Sequence, residues 1–140
     1  EFRLSTRLVI WGDALDPNDI CDRTATESSQ CNIAMKGERV VRPDGSDTGS
    51  RAKTSRWMYS CDSQHPEWSH QPARQLGRFE DMLRRIGVSL LSLSGVDAAE
   101  LQLSIYYGEA KRGEPDFEIS PSLLSVLAFH RIGLRITALP

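Results

Sequence analysis

Between Pro72 and Ile86 the apolar residues Leu76, Phe79, Leu83 and Ile86 recur at intervals of three and four. That spacing puts them on one stripe of a helix, while Arg74, Arg78, Asp81 and Arg85 fall on its other face. The stripe predicts a helix opening at Gln71 or Pro72, with Gly87 as its C′ residue. Such a helix gains its stability by burying the stripe against another layer, so the rest of the chain has to supply one.

The flanking segments change period from 3.6 to 2. Phe2, Leu4, Thr6, Leu8 and Ile10 alternate with Arg3, Ser5, Arg7, Val9 and Trp11, the pattern of a half-buried strand. Asp16-Pro17 reads as a cap followed by proline at the first helical position, with Asp19 in the first turn, predicting a short helix to Thr24. After the polar stretch Thr26 to Gln30, residues Cys31 to Val41 read as one irregular strand with a bulge or bend at Lys36-Gly37. A third strand is expected near Arg56 to Cys61, with Trp57, Tyr59 and Cys61 on one face. Val88 to Leu93 reads either as another helical turn or as a short extended piece, with a lean to helix. Leu101, Leu103, Ile105 and Tyr107 mark a fourth strand ending at Gly108, and Glu109 to Asp116 a polar loop. Ser120-Pro121 opens a helix carrying Leu123, Leu124, Leu127 and Arg131 that stops at Gly133, and Leu134, Ile136 and Ala138 alternate in a last strand.

The order is β-α-β-β-α-β followed by α-β. It predicts an α+β fold, one domain spanning residues 1–140, with a mostly antiparallel sheet, a ferredoxin-like core and a C-terminal α-β unit. The expected core is Leu8, Ile10, Leu76, Phe79, Leu83, Leu103, Ile105, Leu127 and Ile136.

Composition narrows the class. At 140 residues, with 39% hydrophobic and 26% charged residues, the chain has enough apolar surface for one core. A pI of about 5.9 argues against a protein that coats nucleic acid, and no segment approaches the roughly 20 apolar residues of a membrane-spanning helix. No signal peptide is visible, although a mature form would have lost one. Cys21, Cys31 and Cys61 are odd in number and show no metal-type spacing. A reducing, cytoplasmic location is expected, with no membrane association.

Charge and loop chemistry converge between Lys36 and Arg56. Lys36, Arg39, Arg42, Arg51, Lys53 and Arg56 outweigh Glu38, Asp44 and Asp47, giving this segment +3 in a chain of −2. Its middle, Pro43 to Ser50, is rich in turn formers and predicts an exposed loop between strands, where binding residues concentrate. A mixed charge run of this kind also serves simply to solvate a hairpin. The candidate partner-binding residues are Arg39, Arg42, Arg51, Lys53, Arg56, Trp57 and Trp68, because interfaces favour Trp, Tyr and Arg.

Trp11-Gly12, the helix start Leu15-Asp16-Pro17-Asn18-Asp19-Ile20, Lys36-Gly37-Glu38, the strand Arg56-Trp57-Met58-Tyr59-Ser60 and the run Phe117-Glu118-Ile119-Ser120-Pro121-Ser122-Leu123-Leu124 together resemble the bacterial domain-of-unknown-function family 4279. The similarity runs over nearly the whole chain. It implies a small single-domain α+β protein of the kind met among immunity partners of toxins, and it implies no catalytic residue. The chain departs from the commoner pattern in its long Thr26 to Gln30 connection and in Gly77 within the main helix.

Other chemistries fit less well. Cys61, His65, Glu67 and His70 form the densest set of metal-type donors, but Pro66 interrupts the helix that would align the histidines, and neither a metal nor a cofactor is expected. His130, late in its helix, suits a dipole-complementing or carbonyl-capping role. No nucleophile elbow or phosphate loop appears, and Glu109, Glu114, Asp116 and Glu118 read as solvated acids rather than a glycosidase pair. An enzyme is not expected. The alternatives are an unrecognised small enzyme without a motif and nucleic-acid binding, since Arg51, Lys53 and Arg56 adjoin Trp57 and Tyr59 on a ferredoxin-like sheet, but no RNP-type motif is present. The expected function is a bacterial protein-binding domain, most specifically an immunity-type inhibitor of a toxin.

Overall fold

A computed structural model of the chain describes residues 2–107 and 117–139. Its first strand, β1 (Arg3–Gly12), buries Leu4, Thr6, Leu8 and Ile10 completely. The alternation in the sequence thus becomes an inner face, while Arg3, Ser5, Arg7 and Trp11 stand on the outer one. Asp16 then caps α1 (Pro17–Thr24), its carboxylate accepting from the Asn18 and Asp19 N–H groups at 3.1 and 3.4 Å.

The next region departs from expectation. Cys31 to Val41 is two strands rather than one, β2 (Asn32–Ala34) and β3 (Arg39–Val41), separated by a turn in which Glu38 N–H donates to the Met35 carbonyl and Gly37 takes φ 88°. β3 leaves the main sheet to pair with β4 (Asp47–Arg51), so part of the expected loop is also strand. The hairpin is held by backbone groups that bond each other, with polar β4 side chains that need no burial and with Val40 and Val41 left exposed on β3. Only Arg42 to Ser46 makes the tight turn.

β5 (Ser55–Ser60) follows, with Trp57 and Tyr59 buried, and Cys61 opens a short helix, α2 (Cys61–Gln64). The main helix, α3 (Pro72–Arg84), stops earlier than its stripe suggests: Ile86 is buried in the turn beyond it, and Gly87 is not in the left-handed conformation of a C′ residue. Val88 to Leu93 contains one 3-10 turn, Leu90–Ser92. β6 (Ala98–Tyr106) is central, while the expected end at Gly108 and the loop Glu109 to Asp116 lie outside the described residues. Ser120 caps α4 (Pro121–His130) by accepting from Leu123 N–H at 3.1 Å. Arg131, not Gly133, ends it in the left-handed region at φ 55°, and Gly133 begins β7 (Gly133–Leu139).

The five-stranded sheet runs β2-β5-β1-β6-β7, antiparallel throughout except where β6 meets β7. Register puts Leu8 between Tyr59 and Leu101, and Ile10 between Trp57 and Ala99. Leu76, Phe79, Met82 and Leu83 belong to the same core, where Phe79 meets the Tyr59 ring edge-on at 5.9 Å. Ile136 is the exception among the expected core residues. It shares the inner face with Leu103 but is 53% exposed, because β7 is an edge strand whose inner face is left open among the described residues.

β5 pairs with β1 only as far as Arg7. Beyond that point Leu4 N–H donates to the Ser69 carbonyl, and the Leu4 carbonyl accepts from the buried Gln75 amide at 2.9 Å. One side chain from α3 thereby replaces a missing stretch of strand, which a buried backbone carbonyl requires.

Candidate binding groove at the hairpin

The outer face of the sheet carries Arg3, Arg7, Trp11, Arg56 and Arg135, while the buried stripe of α3 packs with the opposite face. At one end of the outer face the β3–β4 hairpin stands off the sheet and bounds a groove of about 470 Å³. Trp11, Ile33 and Ala34 line it from the sheet, Val40 and Val41 from the hairpin, and Arg39, Lys53 and Arg56 add cations, with Glu38 the acid among them. Val40 and Val41 are 40% and 58% exposed, apolar surface displayed beside charge. Trp11 is half-buried and directly opposite Arg56 in the β1–β5 register. That places their side chains within about 5 Å at Cβ.

The arginines of the segment divide by task. Arg42 donates to the Asp47 carbonyl at 3.0 Å and to Ser46, and Arg51 donates to the Gly37 carbonyl at 3.0 Å, so both hold the hairpin together. Arg39 lies 3.4 Å from Asp47 and remains mostly exposed. Lys53 is exposed on the groove. Arg56 donates to Asn32 Oδ1 at 3.1 Å, while its buried Nε has no hydrogen-bond partner among the described residues.

Two expected contact residues lie elsewhere. Trp57 is fully buried on the inner face, paired with Ile10, and presents no surface to a partner. Its position is corrected from interface to core. Trp68 is half-buried in the 3-10 turn Pro66–Trp68, stacked on His65 at 3.8 Å and 9°. It belongs to the Leu4 end of β1, since Gln75 joins the Trp68 and Leu4 carbonyls. Leu4 and Trp11 are separated by roughly 23 Å along a strand rising about 3.3 Å per residue. Trp68 is therefore remote from the groove. Trp11, Val40 and Val41 line the groove without being among the expected contact residues; the alternation that sets Trp11 on the face opposite Leu8 and Ile10 is the sequence signal for it.

Of the potential metal donors, His65 lies 3.5 Å from Glu67 and stacks on Trp68, while His70 turns away, its Nδ1 2.9 Å from the Phe2 carbonyl. Among the described residues no group of three or more His, Cys, Asp or Glu is placed to hold a metal ion. Burial pushes the Cys31 and Cys61 thiols up to about 11, which leaves neither as a thiolate nucleophile at neutral pH. His130 caps the turn after α3 rather than its own helix: its Nε2 lies 2.9 Å from the Leu83 carbonyl, and its Nδ1 accepts from Leu90 N–H at 3.0 Å. No helix among the described residues is long and apolar enough to cross a membrane. No family model, curated protein or solved structure matches the chain.

Proposed function

We propose that this chain is a cytoplasmic protein-binding domain, most specifically an immunity-type inhibitor, whose contact surface is the groove between the β3–β4 hairpin and the outer face of the sheet. The observation that carries the reading is the groove's make-up: exposed Val40 and Val41 and half-buried Trp11 on the walls, with Arg39, Lys53 and Arg56 around them. An apolar centre with a polar, Arg-bearing surround is the anatomy of a protein interface. Its sign selects an acidic partner surface. The word immunity rests on the sequence resemblance to family 4279. We also read β1-α1-β2-β5-α3-β6 as a ferredoxin-like core, which the antiparallel order β2-β5-β1-β6 supports, with α4 and β7 as a C-terminal addition.

A second reading, nucleic-acid binding, draws on the outer-face Arg3, Arg7 and Arg56 beside Trp11 and Tyr106. It is the weaker one: Tyr106 is already covered by the Arg3 guanidinium at 4.3 Å, and Arg135 by Glu100 at 2.9 Å. The experiment is to co-purify the chain with the protein encoded beside it and to titrate it with single-stranded RNA and DNA at two salt concentrations. A complex with the neighbour that Trp11→Ala and Arg56→Glu abolish supports the proposal. Tight nucleic-acid binding at physiological salt, with a slope falling by roughly one per lost cation, overturns it.

A further inference from the structure

We propose that β7 is a homodimer interface, pairing antiparallel with β7 of a second copy about a two-fold axis at Ile136, so that two five-stranded sheets join into one. The two edges of the sheet differ. β2 is three residues long, whereas β7 is seven residues of Gly-Leu-Arg-Ile-Thr-Ala-Leu with one side unpaired among the described residues. A long, apolar edge with unpaired backbone groups is a template for another strand unless charge, proline or a bulge blunts it. The one charge within β7, Arg135, is held by Glu100 of the same chain at 2.9 Å. Pairing therefore brings no unneutralised like charges together.

The register follows from the backbone. The Leu139 carbonyl accepts from Tyr107 N–H, so Leu139, Thr137 and Arg135 turn their backbone groups toward β6. By alternation, the N–H and C=O groups of Leu134, Ile136 and Ala138 point outward. These residues also carry the apolar side chains, on the same face as Leu101, Leu103 and Ile105. A two-fold at Ile136 sets Ile136 against Ile136 of the second copy and Leu134 against its Ala138. It makes about six hydrogen bonds and opposes apolar residues at each outward position. On the other face it sets Arg135 opposite Thr137. The surface is its own complement, as an isologous contact requires.

Exposure agrees with an incomplete inner face. Leu134 and Ile136 are 38% and 53% exposed, and Leu124 is 47% exposed on the flank of α4 away from the α3–α4 groove that Phe129 lines. The second copy's strand would extend the sheet beneath that flank.

Sedimentation velocity of the 140-residue chain at concentrations up to about 100 μM should show a dimer, and Ile136→Lys should weaken it at least about ten-fold. Ile136 is already half-exposed, so the variant keeps its far-UV circular dichroism. Opposed hydrogen-bonded residues lie about 5.5 Å apart at Cα, within disulfide reach. Oxidised Ile136→Cys should therefore give a covalent dimer and Arg135→Cys should not. A monomer at every concentration, a dimer indifferent to Ile136→Lys, or equal cross-linking at 135 and 136 each overturns the proposal.

Discussion

The Thr6 hydroxyl donates to Gln75 Oε1 at 2.8 Å, and the same amide gives its protons to the Leu4 and Trp68 carbonyls at 2.9 and 2.6 Å. Gln75, 1% exposed, thus ties α3 to the part of β1 that β5 does not reach. On that side of β1 no strand among the described residues pairs with Leu4 or Thr6. Gln75→Leu, close in volume, should destabilise the fold by on the order of 3 kcal/mol, because several buried polar groups lose their partner at once. Urea unfolding with an unchanged m-value would measure it. A loss under about 1 kcal/mol would mean that water replaces the amide.

Phe79 is completely buried beneath the sheet. Phe79→Ala should cost about 3–5 kcal/mol in denaturant unfolding. The loss should exceed that of Phe129→Ala, whose side chain is 57% exposed.

Gly12 and Gly95 admit no side chain. A Cβ on Gly12 would meet the Gly95 carbonyl oxygen at 1.7 Å, and Gly95 itself sits at φ 85° with the Ala14 carbonyl 2.2 Å from where its own Cβ would stand. Gly95→Ala should lose about 1–3 kcal/mol from conformation alone, with the steric cost added. Thermal unfolding should show a larger drop for Gly95→Ala than for Gly77→Ala, where a Cβ meets nothing within 4 Å.

His130 predicts a pH dependence. Burial holds its pKa below the ordinary 6.5, outweighing the Leu83 carbonyl, which favours the charged ring. Between the two values the unfolded chain binds the proton more readily than the folded one, so stability rises with pH there. His130 contributes fully above about 6.5, and its contribution is lost as the pH falls from 6.5 through the lowered folded value. Unfolding midpoints measured from pH 7 to pH 5.5 should decline in the native chain. His130→Gln should be less stable at pH 7 and flatter across that range.

As the proposed contact surface, the groove would separate steering from holding. Lys53→Glu should mainly slow association with an acidic protein partner and reduce its salt sensitivity, because exposed charges guide encounter. Trp11→Ala should mainly hasten dissociation and cost on the order of 2 kcal/mol. Stopped-flow kinetics with the captured partner would resolve the two.

Much of this architecture was readable from periodicity, because residues such as Leu4, Leu8, Leu76 and Leu103 answer to strong local patterns. What was not readable depended on which element covers which. Ile136 alternates as well as Leu103 does, but only packing reveals that its strand lies at an open edge. Trp57 and Trp11 both stand on alternating strands, and the choice between core and groove needed the β1–β5 register, a non-local fact. The hairpin was half visible: turn chemistry marked Pro43 to Ser50, but the departure of Arg39 to Val41 from the main sheet is set by backbone pairing, which a three-residue strand signals weakly.

The sheet closes without the hairpin. Ala34 pairs with Arg56, Lys36 N–H reaches Ser55 Oγ, and residues 35–54 make an excursion between neighbouring points. The excursion is sealed at its base by Gly37 N–H to the Ala52 carbonyl and Ala52 N–H to the Glu38 carbonyl. An appendage attached this way can be exchanged as a cassette: a different length or sequence changes one wall of the groove and leaves Leu8, Ile10 and Phe79 packed as before. Sequence change would therefore accumulate most freely in twenty consecutive residues, outside the constraint that packing places on the core.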